Sequence, residues 1–323
     1  MLWLIGTGPM ARDYALVLKS LDVPFTVIGR NEERTAAFAR AFSCNGLSNG
    51  VDHAVRLALR GEVARPAFAI IATPVDTLAP LTLLLADICP QILVEKPGAL
   101  EAEEIDAIFQ HPRVSRGMTS VFVGYNRRFL ASVSTLRDRL SEEGPVLSAS
   151  IEFDEPVPRI ESLDTNAVIK ARWGYANASH VFDLLFYLCG RSRELHAIPS
   201  QPMDPPVGWH PGHSVFVGCG LTSAGTRYVY HGNYASVGRW RIAMSVHRRR
   251  YVLRPLETLK MVEGPSVAEQ DVPLLHNDES NLKPGLKGQV EAFLSGDPEA
   301  RLATAGYQAW HLRHLATVFG YPE

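Results

Sequence analysis

Five short aliphatic runs punctuate the first 125 positions, at 2–5, 25–28, 67–72, 92–94 and 121–123. Each is closed off by glycine, proline or polar residues. Between them, 10–19, 32–42, 51–59, 78–87 and 102–109 carry apolar residues at helical spacing. Runs without polar alternation belong to strands covered on both faces, as in a parallel sheet between helices. Strand and helix in alternation predict right-handed crossovers and a doubly wound α/β domain over 1–123.

From 124 onward the pattern changes. Helical periodicity over 126–140 ends near Gly144-Pro145, followed by an extended stretch at 146–153 and a loop rich in proline and charge at 154–172. A second helix is expected over 175–188. Strands in series at 215–218, 227–234, 241–245 and 250–253 fit an antiparallel meander. The Pro-rich piece 202–211 reads as loop. Helical periodicity returns at 285–294 and 302–318. Segregated strands and helices predict an α+β domain over 124–323.

Composition narrows the function classes. Hydrophobic residues make up 46% of the 323, enough for a sizeable core, and the formal net charge is −2. That balance offers no basic field for nucleic acid or an anionic membrane. The longest apolar run, near 81–86, is far short of the roughly 20 residues a membrane span needs. No basic region precedes the apolar start, so no secretory signal is expected. Cys44, Cys89, Cys189 and Cys219 show no metal-ligand spacing, and the expectation is buried free thiols in a reducing cytoplasm, with no metal.

The first chemistry lies directly after the first strand. Gly6-Thr7-Gly8-Pro9-Met10-Ala11 has the form G-x-G-x-x-A and opens a helix. In such a fingerprint the first glycine permits the turn, the second lets a pyrophosphate approach the backbone, and the small third residue lets helix and strand pack. A helix N-terminus adds N–H donors and partial positive charge. After the second strand, an acidic residue would accept hydrogen bonds from an adenosine ribose. This chain has Arg30-Asn31 there. A guanidinium clamps a 2′-phosphate instead, so NADP(H) is expected over NAD(H). The plainer reading pairs Arg30 with Glu32 or Glu33.

Three further motifs complete the pattern: Ala72-Thr73-Pro74 and Glu95-Lys96-Pro97, each after a strand, and Gly124-Tyr125-Asn126-Arg127-Arg128-Phe129. With the glycine turn and a helix bearing His180-x-x-Asp183, the chain resembles the glucose–fructose oxidoreductase/inositol dehydrogenase family along nearly its whole length. Stretches 173–190, 238–240 and 282–293 look similar to members found with polysaccharide and nucleotide-sugar synthesis. The resemblance implies a Rossmann domain followed by an α+β domain with a large, mainly antiparallel open sheet, which forms a homodimer or homotetramer contact. It also implies hydride transfer between a nicotinamide and a carbinol carbon of a sugar or polyol in the cleft between the domains. Cofactor contacts are then expected from Gly6 to Ala11, Arg30, Asn31, Ala72, Thr73, Pro74, Glu95 and Lys96.

Removing hydride from a secondary alcohol leaves a hydroxyl proton to be taken. A histidine, or a lysine depressed by burial beside a pyridinium, suits that task. Lys96 follows a buried strand end, where doubly wound sheets place ligands, and it is one of six lysines against twenty-six arginines. His180 and Asp183 share a helix face; Asp183 is expected to orient the imidazole or meet a substrate hydroxyl. Many relatives carry an aspartate one turn before the histidine, where this chain has Ala176; Asn177 replaces part of its hydrogen bonding but takes no proton. Either His180 works without that carboxylate, or Lys96 or Tyr125 supplies the acid–base step. Relatives often have a histidine where Leu78 stands.

Arg127, Arg128, Arg159, Arg172 and Arg239 lie beside aromatics such as Tyr125, Phe129, Trp173 and Trp240. Arginine forks recognise carboxylate or phosphate, and flat rings suit a sugar or base. An anionic or nucleotide-linked sugar is the expected substrate, met by Lys96, Tyr125, Arg127, Arg172, Trp173, Asn177, His180 and Asp183. A sugar sensor without turnover, an imine or enone reductase and a cofactor-free structural oligomer are the alternatives.

Overall fold

A computed structural model describes residues 1–155, 160–201, 203–210, 214–275, 281–297 and 301–321. Arg159 and the ends of the Pro-rich loop, 202 and 211, lie outside them. The chain divides into two compact units, Met1–Asn126 with Asn281–Leu312, and Arg127–Ser280 with Arg313–Glu323.

The first unit is built on a seven-stranded sheet. β1 (Leu2–Ile5) lies at its centre between β2 (Phe25–Ile28) and β4 (Phe68–Ile71). β5 (Gln91–Glu95) and β6 (Ser120–Gly124) extend one side, and β3 (Asn45–Leu47) the other. These six run parallel. β1 and β2 are buried along their whole length, as continuous apolar runs require. β3 escaped the sequence reading because Asn-Gly-Leu is short, mostly exposed and without an apolar run. The helices Pro9–Ser20, Glu32–Phe42, Gly50–Leu59, Leu78–Ala86 and Ala102–Gln110 fall within a residue of expectation.

The segment 281–312, read from sequence as part of the second domain, belongs to the first unit. Helix Leu286–Ser295 buries Leu286, Gln289, Val290 and Phe293, and the Phe293 ring meets Phe68 and Phe122 edge-on at 5.5 and 6.3 Å. The two-residue strand β15 (Ala303–Thr304) then pairs antiparallel with β6. An apolar stripe says that a helix must be covered, but not by which sheet.

The second unit carries an eight-stranded sheet in the order β14-β13-β12-β11-β7-β10-β9-β8. Its strands are β7 (Ser148–Phe153), β8 (Ser192–Ile198), β9 (Val215–Thr222), β10 (Arg227–Asn233), β11 (Trp240–Val246), β12 (Arg249–Leu253), β13 (Lys260–Glu263) and β14 (Gln270–Asp271). The expected simple meander is corrected here. β7 inserts between β10 and β11, parallel to the former and antiparallel to the latter. Its own alternation, with Ala149, Ile151 and Phe153 buried, suits a central strand. Against one face lies the helix Ser179–Cys189, whose Phe182 ring packs 5.2 Å from Phe153 and 5.5 Å from Tyr230. The opposite periodicity leaves Ile198 and Val229 exposed.

The expectation of uniformly buried thiols also needs correction. Cys89 and Cys189 are buried, and burial pushes both thiols up to about 12. Cys219 is exposed and Cys44 half-buried. Among the described residues no helix is long and apolar enough to cross a membrane, and no group of three His, Cys, Asp or Glu is placed to hold a metal ion.

Candidate active site

The glycine turn is fixed by the neighbouring strand. Gly6 has φ +112, and a Cβ there would stand 2.5 Å from the Ala72 carbonyl oxygen, so only glycine fits. Its N–H donates to the Ile28 carbonyl at 2.9 Å. Gly8 is the N-cap of helix Pro9–Ser20, no side chain caps that end, and a Cβ on Gly8 would meet nothing within 4 Å. Pro9 occupies the first turn, where its missing N–H costs nothing. Ala11 is fully buried. The result is an open, uncapped helix N-terminus beside a pinned turn, the cradle that linked phosphates require.

Arg30 is exposed, its stem passing over Gly50, where a Cβ would be 3.7 Å from the Arg30 Cγ. Among the described residues it forms no ion pair with Glu32 or Glu33, which removes the plainer reading of this arginine. Asn31, expected on the cofactor, is the N-cap of helix Glu32–Phe42; its Oδ1 accepts from the Arg34 N–H at 2.8 Å. After β4, the Thr77 hydroxyl lies 2.7 Å from the Pro74 carbonyl and 2.8 Å from the Thr73 hydroxyl, shaping the turn that follows Ala72. Leu78 is fully buried, so the position where relatives often carry histidine is core.

Lys96 is half-buried at the end of β5. The Lys96–Pro97 bond is cis, and the Gly98 N–H closes the turn on the Glu95 carbonyl at 2.9 Å. That is a type VI turn with proline at its third place. The buried Gln308 amide donates to the Pro97 carbonyl at 2.8 Å, securing the turn from helix Ala305–Phe319. Glu95 turns inward. Its Oε1 accepts the Tyr14 hydroxyl at 2.6 Å, and Tyr14 in turn accepts from Gln289 at 2.9 Å. Burial pushes the Glu95 carboxyl up, while Tyr14 and the charges of Lys96 and Lys283 pull it down. Burial and the adjacent carboxylate raise Tyr14 well above the usual phenol range. Glu95, expected as a cofactor contact, thus ties β5 to two helices. Tyr125 is buried, its ring edge-on to His311 at 5.8 Å. Neither Tyr14, Gln289 nor Gln308 stands in a recognisable motif, so nothing along the chain pointed to them.

In the second unit, five residues of π-helix (Gly174–Ala178) run directly into the α-helix Ser179–Cys189. π-turns recur where a helix must re-aim side chains. Here the turn carries Asn177, with the buried His180 following it. Asp183 has a partner that its spacing from His180 did not suggest. Both its carboxylate oxygens are taken by Arg128, Nε at 2.8 Å and Nη2 at 2.5 Å, and both residues are buried. The same pair withdraws Arg128 from the set expected to meet an anion.

The other arginines differ in situation. Arg127 donates to Glu257 at 2.9 Å and lies over the Trp240 ring at 4.9 Å. Arg172 lies over the Tyr321 ring at 4.9 Å. Arg239 is exposed. Trp173 meets Trp209 edge-on at 6.1 Å. Asn177 donates to Glu155 Oε1 at 2.8 Å, and the Trp240 indole N–H donates to the same oxygen at 3.3 Å. Trp240 is also a ring neighbour of His180, with centroids 6.1 Å apart. Glu155 was missed because it lies in a stretch whose prolines and charges read as solvated loop.

Comparison with solved structures matches this fold over nearly its full length. A UDP-N-acetylglucosamine 3-dehydrogenase from Acidithiobacillus ferrooxidans aligns over 98% of this chain and 95% of its own, with TM-score 0.73 and 19% identity. A putative NADPH-dependent oxidoreductase from Desulfitobacterium hafniense covers 99% and 94%, with TM-score 0.79 and 18% identity. This chain shares their fold. A levoglucosan dehydrogenase in complex with NADH and levoglucosan covers 98% and 95%, with TM-score 0.76 and 15% identity. The Rossmann unit followed by an open-sheet α+β unit, expected from the motifs, is the architecture found. No protein-family model and no curated protein matches the chain.

Proposed function

We propose that the chain is an NAD(P)(H)-dependent oxidoreductase that moves a hydride between nicotinamide and a carbinol or keto carbon of a sugar-type substrate. The observation that carries this reading is the pair Gly6 and Gly8. One is locked by the Ala72 carbonyl, the other lies open at an uncapped helix start. Such a cradle fits a dinucleotide diphosphate held by Gly6 to Ala11, with Ala72, Thr73 and Pro74 along its side. Solved structures of this fold named as sugar dehydrogenases, one with NADH, support the substrate class. The bound nicotinamide supplies or accepts the hydride. Lys96 is assigned the hydroxyl proton, with His180 and Tyr125 as the further acid–base groups.

NADP(H) is the proposed preference, supported by an exposed Arg30 without an acidic partner. An anionic or nucleotide-linked sugar is the proposed substrate. With Arg128 committed to Asp183, Arg127 and Arg172, which lie on aromatic faces, are the arginines assigned to it. Trp173 and Asn177 are assigned to the same substrate. A homodimer or homotetramer through the exposed face of the eight-stranded sheet fits Ile198 and Val229, and the free cysteines fit the cytoplasm.

The test is spectroscopic. Purified protein should alter NADPH fluorescence and consume NADPH with keto-sugars, nucleotide-linked ones above neutral polyols. Lys96→Met should abolish turnover while sparing cofactor binding. Binding without turnover on any sugar, ketone or imine would favour a sensor, and the diversion of Asp183 to Arg128 is the observation on that side.

A further inference from the structure

Like charges directly opposite each other on neighbouring strands are destabilising. The eight-stranded sheet has such a place between β7 and β13. The alternation of β11 sends Ile242 and Met244 into the core, so Arg241 stands on the face that the helix Ser179–Cys189 leaves open. β7 sets Glu152 opposite Arg241, and the two pair at 2.7 Å. On the other flank, the register that faces Ile242 with Leu253 brings Arg254 opposite the same Arg241. These three share a cavity of about 440 Å³ with Arg239, Lys260 and Glu269.

The charges in this cavity do not balance, since four cations line it against two carboxylates. Glu152 is committed to Arg241. Glu269 reaches Lys260 only at 3.8 Å, with both side chains well exposed, and such a pair contributes little. Among the described residues, Arg239 and Arg254 form no ion pair.

We propose that Arg239, Arg241, Arg254 and Lys260 form a binding site for a small dianion of the phosphate class on the open face of this sheet. Guanidinium forks present paired N–H donors that match phosphate oxygens, and the ammonium adds a compact point charge. A dianion offsets the excess of two positive charges in the cavity. A second copy of the chain centred at this point is a poorer occupant, because an isologous contact would set the same cations against these. The site uses none of the residues of the glycine turn, and it stands whether or not the chain is a dehydrogenase.

The test is calorimetric titration of the full-length protein with inorganic phosphate at constant ionic strength, beside the same titration with acetate. Phosphate should bind, and acetate should bind at least tenfold more weakly. Arg239→Gln and Arg254→Gln, both at exposed positions, should fold like wild type and each weaken phosphate about tenfold or more, as loss of one charge-assisted contact does. Arg193→Gln removes an exposed cation elsewhere on the sheet, and Gly8→Ala alters the cofactor cradle; neither should change phosphate binding. An equal loss in Arg193→Gln would reduce the effect to diffuse charge, and a loss confined to Gly8→Ala would place the phosphate at the cradle. Either result overturns the proposal, as does wild-type protein that binds no phosphate. Light scattering on the same samples covers the remaining occupant: if Arg239→Gln and Arg254→Gln change the assembled mass but not phosphate affinity, a second copy holds this face and the anion site is refuted.

Discussion

Arg128 grips Asp183 with two nitrogens, at 2.8 and 2.5 Å, where both side chains are almost wholly withdrawn from water. The guanidinium also lies over the Tyr187 ring at 5.0 Å. A buried pair of this kind adds little net stability over an apolar substitute, yet breaking it strands a charge. Arg128→Met or Asp183→Leu alone should cost about 3–5 kcal/mol, and the double substitution clearly less than the sum. Urea unfolding of the four species closes the cycle, and additive losses would show that the two do not act as a pair.

The glycine turn separates folding from binding. Gly6→Ala meets both the Ala72 carbonyl and an unfavourable φ, and should cost about 1–3 kcal/mol of stability along with NADPH binding. Gly8→Ala meets open space and has φ −79, which alanine adopts freely. It should fold like wild type and still bind NADPH more weakly, because its methyl fills the phosphate approach. Thermal unfolding beside NADPH fluorescence titration compares the two, and unaltered binding in Gly8→Ala would remove the cradle.

Arg30→Ala should weaken NADPH binding about tenfold or more, the loss of a charge-assisted contact of about 1.5–3 kcal/mol, and leave NADH binding nearly unchanged. Dissociation constants for both cofactors check this. A parallel loss for the two would place Arg30 away from the 2′ position.

Glu95 makes stability depend on pH in a set direction. Burial raises its carboxyl above the ordinary 4.5, so the folded protein binds this proton more tightly than the unfolded chain does. That stabilisation is complete below about pH 4.5 and is lost as pH rises through the higher folded value. Glu95→Gln lacks the dependence, so its stability relative to wild type should rise between about pH 4 and pH 7. Tyr14→Phe should cost about 1–3 kcal/mol, since Glu95 loses its donor. Urea unfolding across that pH range measures both, and a flat difference for Glu95→Gln would contradict the sign.

Local signals were legible in the chain itself. Unbroken apolar runs specified strands covered on both faces, and G-x-G-x-x-A in strand–turn–helix context marked the turn at Gly6. Lys96 could be placed at a strand end because proline follows it. These features depend on neighbours a few positions away, where backbone preference and hydrophobic period act directly. The remaining contacts are non-local. Gln289 closes onto Tyr14 across 275 positions, and Asp183 finds Arg128 across 55. β7 enters the sheet between two strands that follow it in sequence. Glu155 looked like loop until Asn177 and Trp240 closed on it. A buried polar group takes whichever partner the fold brings within hydrogen-bond reach, and no spacing along the chain encodes that choice.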